Sequence, residues 1–423
     1  MTPPGRPDAP APTASEAIAK ASGGSAAWPI LLLVLVGPAL SAFQSTVVSP
    51  LVSTLADHFG GGERGAFVAQ LGLAIPAVGV MLGGVATAPL LERFGYRGLI
   101  IGASLALALS GTVGGFLSSQ ELFIASRIVV GFASVLLYAS FVALSGALFA
   151  GATLARVISY QHGINAAAGL VLVLISGWVA SQSGWQASFL IYAPVALFAL
   201  WTAAVWLPPR RRRDPQRAAS GASLRPLVPL YLLTIAIFAA VFIVIVQGSL
   251  LLSANGIGDP AVQSVVIAAS ALAYAVTATA CSWIQEHVAG RYTLALSLGL
   301  MGAGVVAMGL ATSVPGATCA SLLIGAGSGI SASYLATLVV QRAPDGARER
   351  AVGWISPAHY VGQLANPFIM QALANLLGLQ SAFVAVGALM GASALAAAAF
   401  HTGKDRGGPS RPHGAIQAGI TDP

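Results

Sequence analysis

The stretch Ala88-Pro-Leu-Leu-Glu-Arg-Phe-Gly-Tyr-Arg97 decides the fold, because it separates two long apolar runs, Ala66–Leu91 and Leu99–Leu117. An α-helix of about 20 residues crosses the hydrocarbon core of a bilayer, and either run can form one. A separation this short permits only a tight antiparallel pair of helices. Arg93 and Arg97 within it favour the cytosolic side of a membrane.

The composition predicts an all-α protein that crosses the membrane many times. Of the 423 residues, 56% are hydrophobic and 8% are charged, against about 25% charged in typical soluble domains. The net charge of +7 comes mostly from short loops and tails, where basic residues orient the chain, so it predicts no binding to nucleic acid. Cys281 and Cys319 fall in segments whose loops lie on opposite sides, which disfavours a disulfide, and no Cys/His spacing suggests a metal.

The apolar runs, taken in order, predict twelve membrane-spanning helices. An even number places both chain ends on the same side of the membrane. The predicted spans are 29–54, 66–91, 98–118, 121–148, 157–181, 187–207, 227–253, 261–284, 292–312, 316–341, 351–376 and 380–400.

The distribution of Lys and Arg predicts which side holds the termini. These residues lie in the even-numbered loops and the tails, whereas the odd-numbered loops contain only Arg64. Both termini are therefore predicted to be cytosolic, in a multi-pass protein of the inner (plasma) membrane. The predicted regions are a disordered cytosolic tail at 1–27, a six-helix bundle at 28–207, a basic cytosolic linker at 208–226, a second bundle at 227–400 and a cytosolic tail at 401–423.

The opening stretch resembles the loop between the second and third helices of the major facilitator superfamily, whose pattern is G-x-L-x-D-R-x-G-R-[RK]. Four positions match this pattern: Leu90, Arg93, Gly95 and Arg97. Three positions depart from it: Ala88, Glu92 and Tyr96. The resemblance implies a transporter of two six-helix halves, in which this loop is a conformational gate that stabilises the state closed to the cytosol.

A shift of 194 residues carries four separated features of the first half onto the second, which predicts tandem parallel repeats. It moves 92–97 onto 286–291, Gly131 onto Gly325, Arg156 onto Arg350 and 184–189 onto 378–383. The residues predicted to form the gate are Glu92, Arg93, Gly95, Arg97, Gly131, Glu286 and Arg291.

Arg127 is the only basic residue well inside a predicted span. Inserting an arginine near a helix centre costs about 2.5–3.5 kcal/mol, so it needs an interior partner or a wet cavity. Arg127-Ile-Val-Val-Gly131 resembles the fourth-helix motif of the superfamily, R-x-x-x-G. That resemblance implies an arginine that lines the central cavity and is linked to proton coupling or to substrate charge. The alternative is an arginine that snorkels outward to the interface.

Polar side chains on two related helices predict the remaining wall of a central cavity. His359, Gln363 and Asn366 share one helical face, and the shift of 194 places His359 on Asn165. His162, near Asn165, and His359 are candidates for a proton relay or for hydrogen bonds between helices. The full set of candidate cavity residues is Arg127, Gln44, Tyr138, His162, Asn165, Gln247, Tyr274, Tyr334, His359, Tyr360, Gln363 and Asn366.

The coupling ion is not visible in the sequence. No carboxylate lies in mid-membrane, and Asp57, near the outer end of the first span, is the best candidate. Proton coupling is therefore implied by the resemblance alone. The antiporter pattern G-x-x-x-G-P is also missing from the fifth span, where Gly169–Gly177 contains no proline.

These observations favour a secondary transporter that works by alternating access. The leading hypothesis is proton-coupled efflux of a drug-like compound or metabolite by a monomer that needs no cofactor. The first alternative is uptake or exchange of a small organic anion bound by Arg127. A membrane sensor or integral membrane enzyme is disfavoured, because we find no carboxylate cluster, no Ser/His/Asp arrangement and no ATPase motif.

Overall fold

The structure is a computed structural model that describes residues 27–149, 151–205, 207, 223–344 and 348–399. Within these ranges the chain is helical and contains no β-strand. The predicted tail at 401–423, almost all of the tail at 1–27 and most of the linker at 208–226 lie outside the described residues.

Ten helical segments among the described residues are long and apolar enough to cross a bilayer. They are α1 (Trp28–His58), α2 (Gly62–Gly114), α3 (Gln120–Leu148), α4 (Arg156–Ser183), α5 (Trp185–Ala204), α6 (Arg225–Ala254), α7 (Pro260–His287), α8 (Gly290–Leu310), α9 (Val314–Arg342) and α11 (Leu379–Ala399). Between the last two lies α10 (Ile355–Leu377), a helix of 23 residues.

Helix α2 is too long for one crossing and is broken at Gly95. Its 53 residues would extend about 80 Å as a straight helix, well over twice the hydrocarbon thickness. Gly95 has φ 65° and ψ 178°, a conformation that side chains with a Cβ rarely adopt. The predicted loop at 92–97 is thus a sharp break within helical structure rather than an extended connection.

The count of twelve spans stays a prediction that depends on α2 and α10. It requires the two arms of α2, 62–94 and 96–114, to cross the membrane separately. It also requires α10 to cross, although its polar residues keep it outside the ten most apolar segments. On this topology the turns alternate between two sides, which we call the arginine side and the opposite side.

The two sides differ in their charged residues. The arginine side is defined by Arg93, Arg97, Arg156, Arg291, Arg342 and Arg350, and the opposite side by Asp57, Glu63, Arg64, Glu121 and Asp259. The assignment of the arginine side to the cytosol remains a prediction.

Buried apolar side chains form two main clusters that follow the predicted halves. One cluster comes from residues up to Val205, with Phe238, Phe242 and Val246 added. The other comes from residues after 236, with Val173 added. Each half therefore has its own core, and a few side chains join them. The boundaries of the predicted bundles remain predictions.

Two glycine contacts inside the halves are related by the same shift of 194. A methyl group on Gly131 would lie 1.9 Å from the Pro76 carbonyl oxygen, and one on Gly325 would lie 2.0 Å from that of Ser270. Both the glycines and the residues they touch are 194 apart in sequence. Helices approach this closely in membranes where one of them presents a small residue.

We expect Gly131→Ala to destabilise the protein, because its Cβ would enter the space of the Pro76 carbonyl group. Overpacking of this kind typically costs about 1–3 kcal/mol. The matched control is Gly146→Ala in the same helix, where a Cβ meets no atom within 4 Å. The control should be neutral or stabilising by up to about 1 kcal/mol. Thermal unfolding of the purified variants in detergent measures both, and equal midpoints would contradict the close packing.

Candidate functional site

The two halves meet through hydroxyl groups near the opposite side of the membrane. Ser249 of α6 contacts Ser53 of α1, with 2.9 Å between their side-chain oxygens, and donates to the Pro50 carbonyl at 3.3 Å. Ser49 donates to the Ile245 carbonyl at 2.9 Å. These side chains are buried. They therefore form part of a closed seam between α1 and α6.

Amide side chains continue this seam toward the middle of the protein. Gln247 donates through Nε2 to Gln70 Oε1 of the first half at 3.0 Å and to Asn366 Oδ1 at 2.7 Å. Gln363 of α10 donates to the Leu73 carbonyl at 3.4 Å. Gln247 Oε1 and Gln363 Oε1 have no partner within the described part of the chain. The seam is thus built from neutral groups and is incompletely hydrogen-bonded.

A glycine lets α4 and α7 close on each other at the same level. A methyl group on Gly177 would lie 2.3 Å from Ser264 Cβ and 2.5 Å from the Pro260 carbonyl oxygen. The halves also meet between α2 and α10, where the rings of Phe67 and Phe368 lie 5.4 Å apart between centroids. All of these contacts lie in the parts of the helices nearer the opposite side. We define the seam as these contacts together with the serine and amide contacts above.

Part of the predicted cavity set lies between the halves on the arginine side of the seam. Tyr360 of α10 lies beside Gln44 and Tyr138 of the first half. The Tyr138 hydroxyl is 3.5 Å from His162 Nε2. His162 is exposed, and the other three are half-buried. The structure therefore brings these four residues together as a polar, aromatic wall.

The other predicted residues have different surroundings. Asn165 Oδ1 accepts from Ser41 at 3.2 Å. The His359 ring stacks on Phe238, with 3.9 Å between centroids, and also contacts the Tyr360 ring of the polar wall, with 5.0 Å between centroids. Gln247, Gln363 and Asn366 belong to the seam.

Two predicted tyrosines lie within the second half. Tyr334 reaches the start of α8, where a methyl group on Gly290 would lie 2.5 Å from its hydroxyl. Tyr274 is half-buried, and its backbone carbonyl lies 2.4 Å from the position of a Gly329 Cβ. Neither contact places these tyrosines beside the polar wall.

Arg127 is fully buried inside the first half, away from the polar wall. Its guanidinium donates to Tyr192 Oη at 3.1 Å and to the carbonyls of Ser110 and Gly111 at 3.4 Å. It lies within 5.3–5.7 Å of the ring centroids of Phe123, Phe189 and Tyr192. Aromatic faces attract cations, so these rings stabilise the positive charge. The three hydrogen bonds of the guanidinium go to a hydroxyl and two carbonyl groups, not to a carboxylate. The Nε atom has no partner among the described residues.

The predicted gate residues lie at the break in α2 and at the α7–α8 turn. Arg97 donates to the Ala203 carbonyl at the end of α5. Tyr96, which replaces an arginine of the family pattern, is buried and donates to the Ala143 carbonyl at 3.3 Å. Arg93 lies 5.5 Å from the Phe94 ring centroid, and Arg291 lies 4.6 Å from that of Tyr292.

Glu92 and Glu286 accompany these arginines, one at the break and one in the last turn of α7. Gly131 lies away from both turns and packs within the first half.

Sequence reasoning missed several residues of the seam and of the arginine site. They are Ser53, Gln70, Gly177, Tyr192, Ser249 and Gln263, whose Oε1 accepts a hydrogen bond from Ser249 at 2.6 Å. Gln70 and Gln263 carried a usable signal, since a polar residue in a span usually faces protein or water. Ser53 and Ser249 lie 196 apart, two residues off the repeat shift of 194, which places Ser53 on Gln247. Tyr192 carried no such signal.

The sequence of this chain is similar to those of known membrane proteins. A sequence profile described as the Major Facilitator Superfamily matches residues 34–255 and 230–422. A triacylglyceride transporter of Mycolicibacterium hassiacum is 33% identical over 239 residues, which are 53% of this chain and 41% of that protein. The matched region is thus less than half the length of that relative.

Solved transporters share the fold at low sequence identity. A bacterial homologue of the human lysosomal transporter Spinster, in an inward-facing and occupied conformation, has a TM-score of 0.74 at 15% identity, covering 90% of this chain and 98% of that one. A D-xylose–proton symporter has a TM-score of 0.70 at 16% identity, covering 88% and 97%. With the profile matching nearly all of the described helices, this chain belongs to the Major Facilitator Superfamily.

Proposed function

We propose that this protein moves an uncharged, largely apolar solute across the membrane by alternating access. The single observation that carries this proposal is the chemistry of the wall between the halves. Gln44, Tyr138, His162 and Tyr360 offer hydrogen bonds and aromatic faces without a permanent charge. Pockets of this kind select solutes by apolar burial and by a few polar contacts.

The sequence relative supports the same class of substrate. It is named a triacylglyceride transporter, and a triacylglyceride is neutral and mostly apolar. We therefore propose a lipid-like or drug-like neutral molecule as the cargo. We retain efflux coupled to protons as the proposed direction and energy source. His162 is the histidine of the wall, and Asp57 lies exposed beyond the seam.

The enclosed position of Arg127 argues against the organic-anion alternative. An arginine that binds substrate must reach the cavity, whereas this guanidinium is surrounded by α2, α3 and α5 of one half. Its contacts hold three helices together. We propose that Arg127 and Tyr192 position these helices.

The cargo and its coupling can be tested in proteoliposomes. We expect faster movement of a fluorescent triacylglyceride than in protein-free vesicles, and no protein-dependent flux of a labelled monocarboxylate. Acidifying the compartment on the opposite side should accelerate movement toward that side, because proton entry would drive export. Protein-dependent flux of the monocarboxylate without glyceride flux would replace this proposal with the anion alternative. Glyceride flux that does not change with the pH gradient would contradict proton coupling but not the proposed cargo.

Arg127→Gln should leave substrate affinity unchanged and lower flux on the order of tenfold, equivalent to about 1.4 kcal/mol. Glutamine cannot contact Tyr192 and both carbonyls together, so the three helices lose their fixed spacing. Arg127→Lys should behave similarly, because lysine keeps the charge but not the planar fork. The control is Arg64→Gln, which removes an exposed positive charge on the opposite side. Loss of binding in Arg127→Gln, with binding kept in Arg127→Lys, would instead indicate an anion site.

Gly177→Ala should open the seam and slow transport, because its Cβ cannot fit against Ser264 when the halves close. Gly163→Ala, on the same helix, is the matched control, because a Cβ at this position meets no atom within 4 Å. A cysteine introduced as Ser249→Cys, after both native cysteines are replaced by serine, reports the opening. An impermeant thiol reagent added from the opposite side should label it several-fold faster with Gly177→Ala than with Gly163→Ala. Equal labelling would show that the seam does not depend on this close approach.

A further inference from the structure

A groove between α1 and α5 lies apart from the polar wall and from the seam. Its volume is about 430 Å³. Every side chain that lines it is apolar: Leu40, Phe43, Pro194, Val195, Leu197, Phe198 and Trp201. It has no part in the transport cycle proposed above.

The groove exists because both helices are irregular where they face each other. Helix α1 narrows to a 3₁₀ turn at Gly37–Ala42, which contains Pro38. Helix α5 has a 3₁₀ turn at Leu190–Tyr192, and Pro194 follows it. Regular ridges of side chains cannot interlock along such segments. The Phe43 and Tyr192 rings touch at the break, 5.4 Å apart, and a gap is left beside them.

The groove opens sideways at the depth of the hydrocarbon core. Its α5 residues, 194–201, lie between the helix ends at Trp185 and Ala204. Leu197, on its rim, is 64% exposed, and Leu200, one turn on, is 66% exposed. Surface of this kind on a membrane-spanning helix faces lipid tails rather than water.

Hydrogen bonds separate the groove from the polar wall between the halves. Tyr192 donates to the Phe43 carbonyl at 2.7 Å and accepts from Arg127. Ser41, on an adjacent face of α1, is bonded to Asn165 of α4. A molecule in the groove therefore has no direct route past α1 to the polar wall.

We propose that this groove binds one acyl chain of a bilayer lipid as a resident ligand that is not transported. A lining without polar side chains excludes a headgroup and suits a flexible hydrocarbon chain, which gains contact by filling the gap. The surrounding bilayer supplies such chains at high concentration. The chain would brace the irregular part of α1 against α5, next to the contact that fixes Phe43. This proposal rests on the membrane location and not on the proposed cargo.

The test is photo-crosslinking of the full-length protein in nanodiscs that contain a phospholipid with a diazirine in its acyl chain. Mapping by mass spectrometry should find the label concentrated in 40–43 and 194–201. Peptides around Leu389 and Leu395, which are exposed on α11, give the background for ordinary lipid-facing surface. Even labelling of all exposed apolar surface would overturn the proposal, and this result needs no variant.

Leu197→Trp and Leu200→Trp form a matched pair for the same experiment. Both positions are exposed on α5, but only Leu197 lines the groove. We expect Leu197→Trp to reduce groove labelling several-fold and Leu200→Trp to leave it unchanged. Equal labelling in the two variants would contradict the site.

Discussion

A polar group within the hydrocarbon of a bilayer finds no water, so it must find its partner inside the protein. The arrangement of this transporter follows from that constraint. Its polar side chains are gathered where helices meet, above all in the seam between the halves, where serines and amides pair among α1, α2, α6 and α10. The large apolar side chains exposed on the outer faces are mostly leucine and valine, with aromatic residues among them. The surface on which the halves close is therefore polar, although it lies within the membrane.

Arg127 shows the same constraint at its most demanding. A buried cation normally requires a carboxylate, yet its contacts here are three aromatic faces, one hydroxyl and two carbonyls. Backbone carbonyls become available to side chains where helices end or distort. The 3₁₀ turn in α5 places Tyr192 against the arginine, and the irregular α1 leaves the Phe43 carbonyl for Tyr192. The charge and the two helix distortions thus depend on one another.

The sequence predicted features that are local or that recur at a fixed shift. The stretch 88–97 predicts a short turn between two spans, and the structure breaks α2 within it, at Gly95, in a backbone conformation that favours glycine. The shift that pairs Gly131 with Gly325 also pairs the carbonyls they pack against. The need of Arg127 for an interior partner followed from its position alone. The partner did not, because Tyr192 is 65 residues away. The Gln70–Gln247 contact spans 177 residues, and nothing in one sequence joins such a pair.

Helices are held together differently within a half and between the two halves. The contacts between the halves are the weaker ones. Both use glycine to bring helices together, at Gly131 inside one half and at Gly177 between the two. Inside a half, the glycine contact is backed by a continuous apolar core. Between the halves, neutral hydrogen bonds contribute only about 0.6 kcal/mol each on average in membranes. Two amide oxygens of the seam have no hydrogen-bond partner among the described residues. A seam of a few such bonds is specific enough to close in one register and weak enough for a bound solute to shift the balance between states.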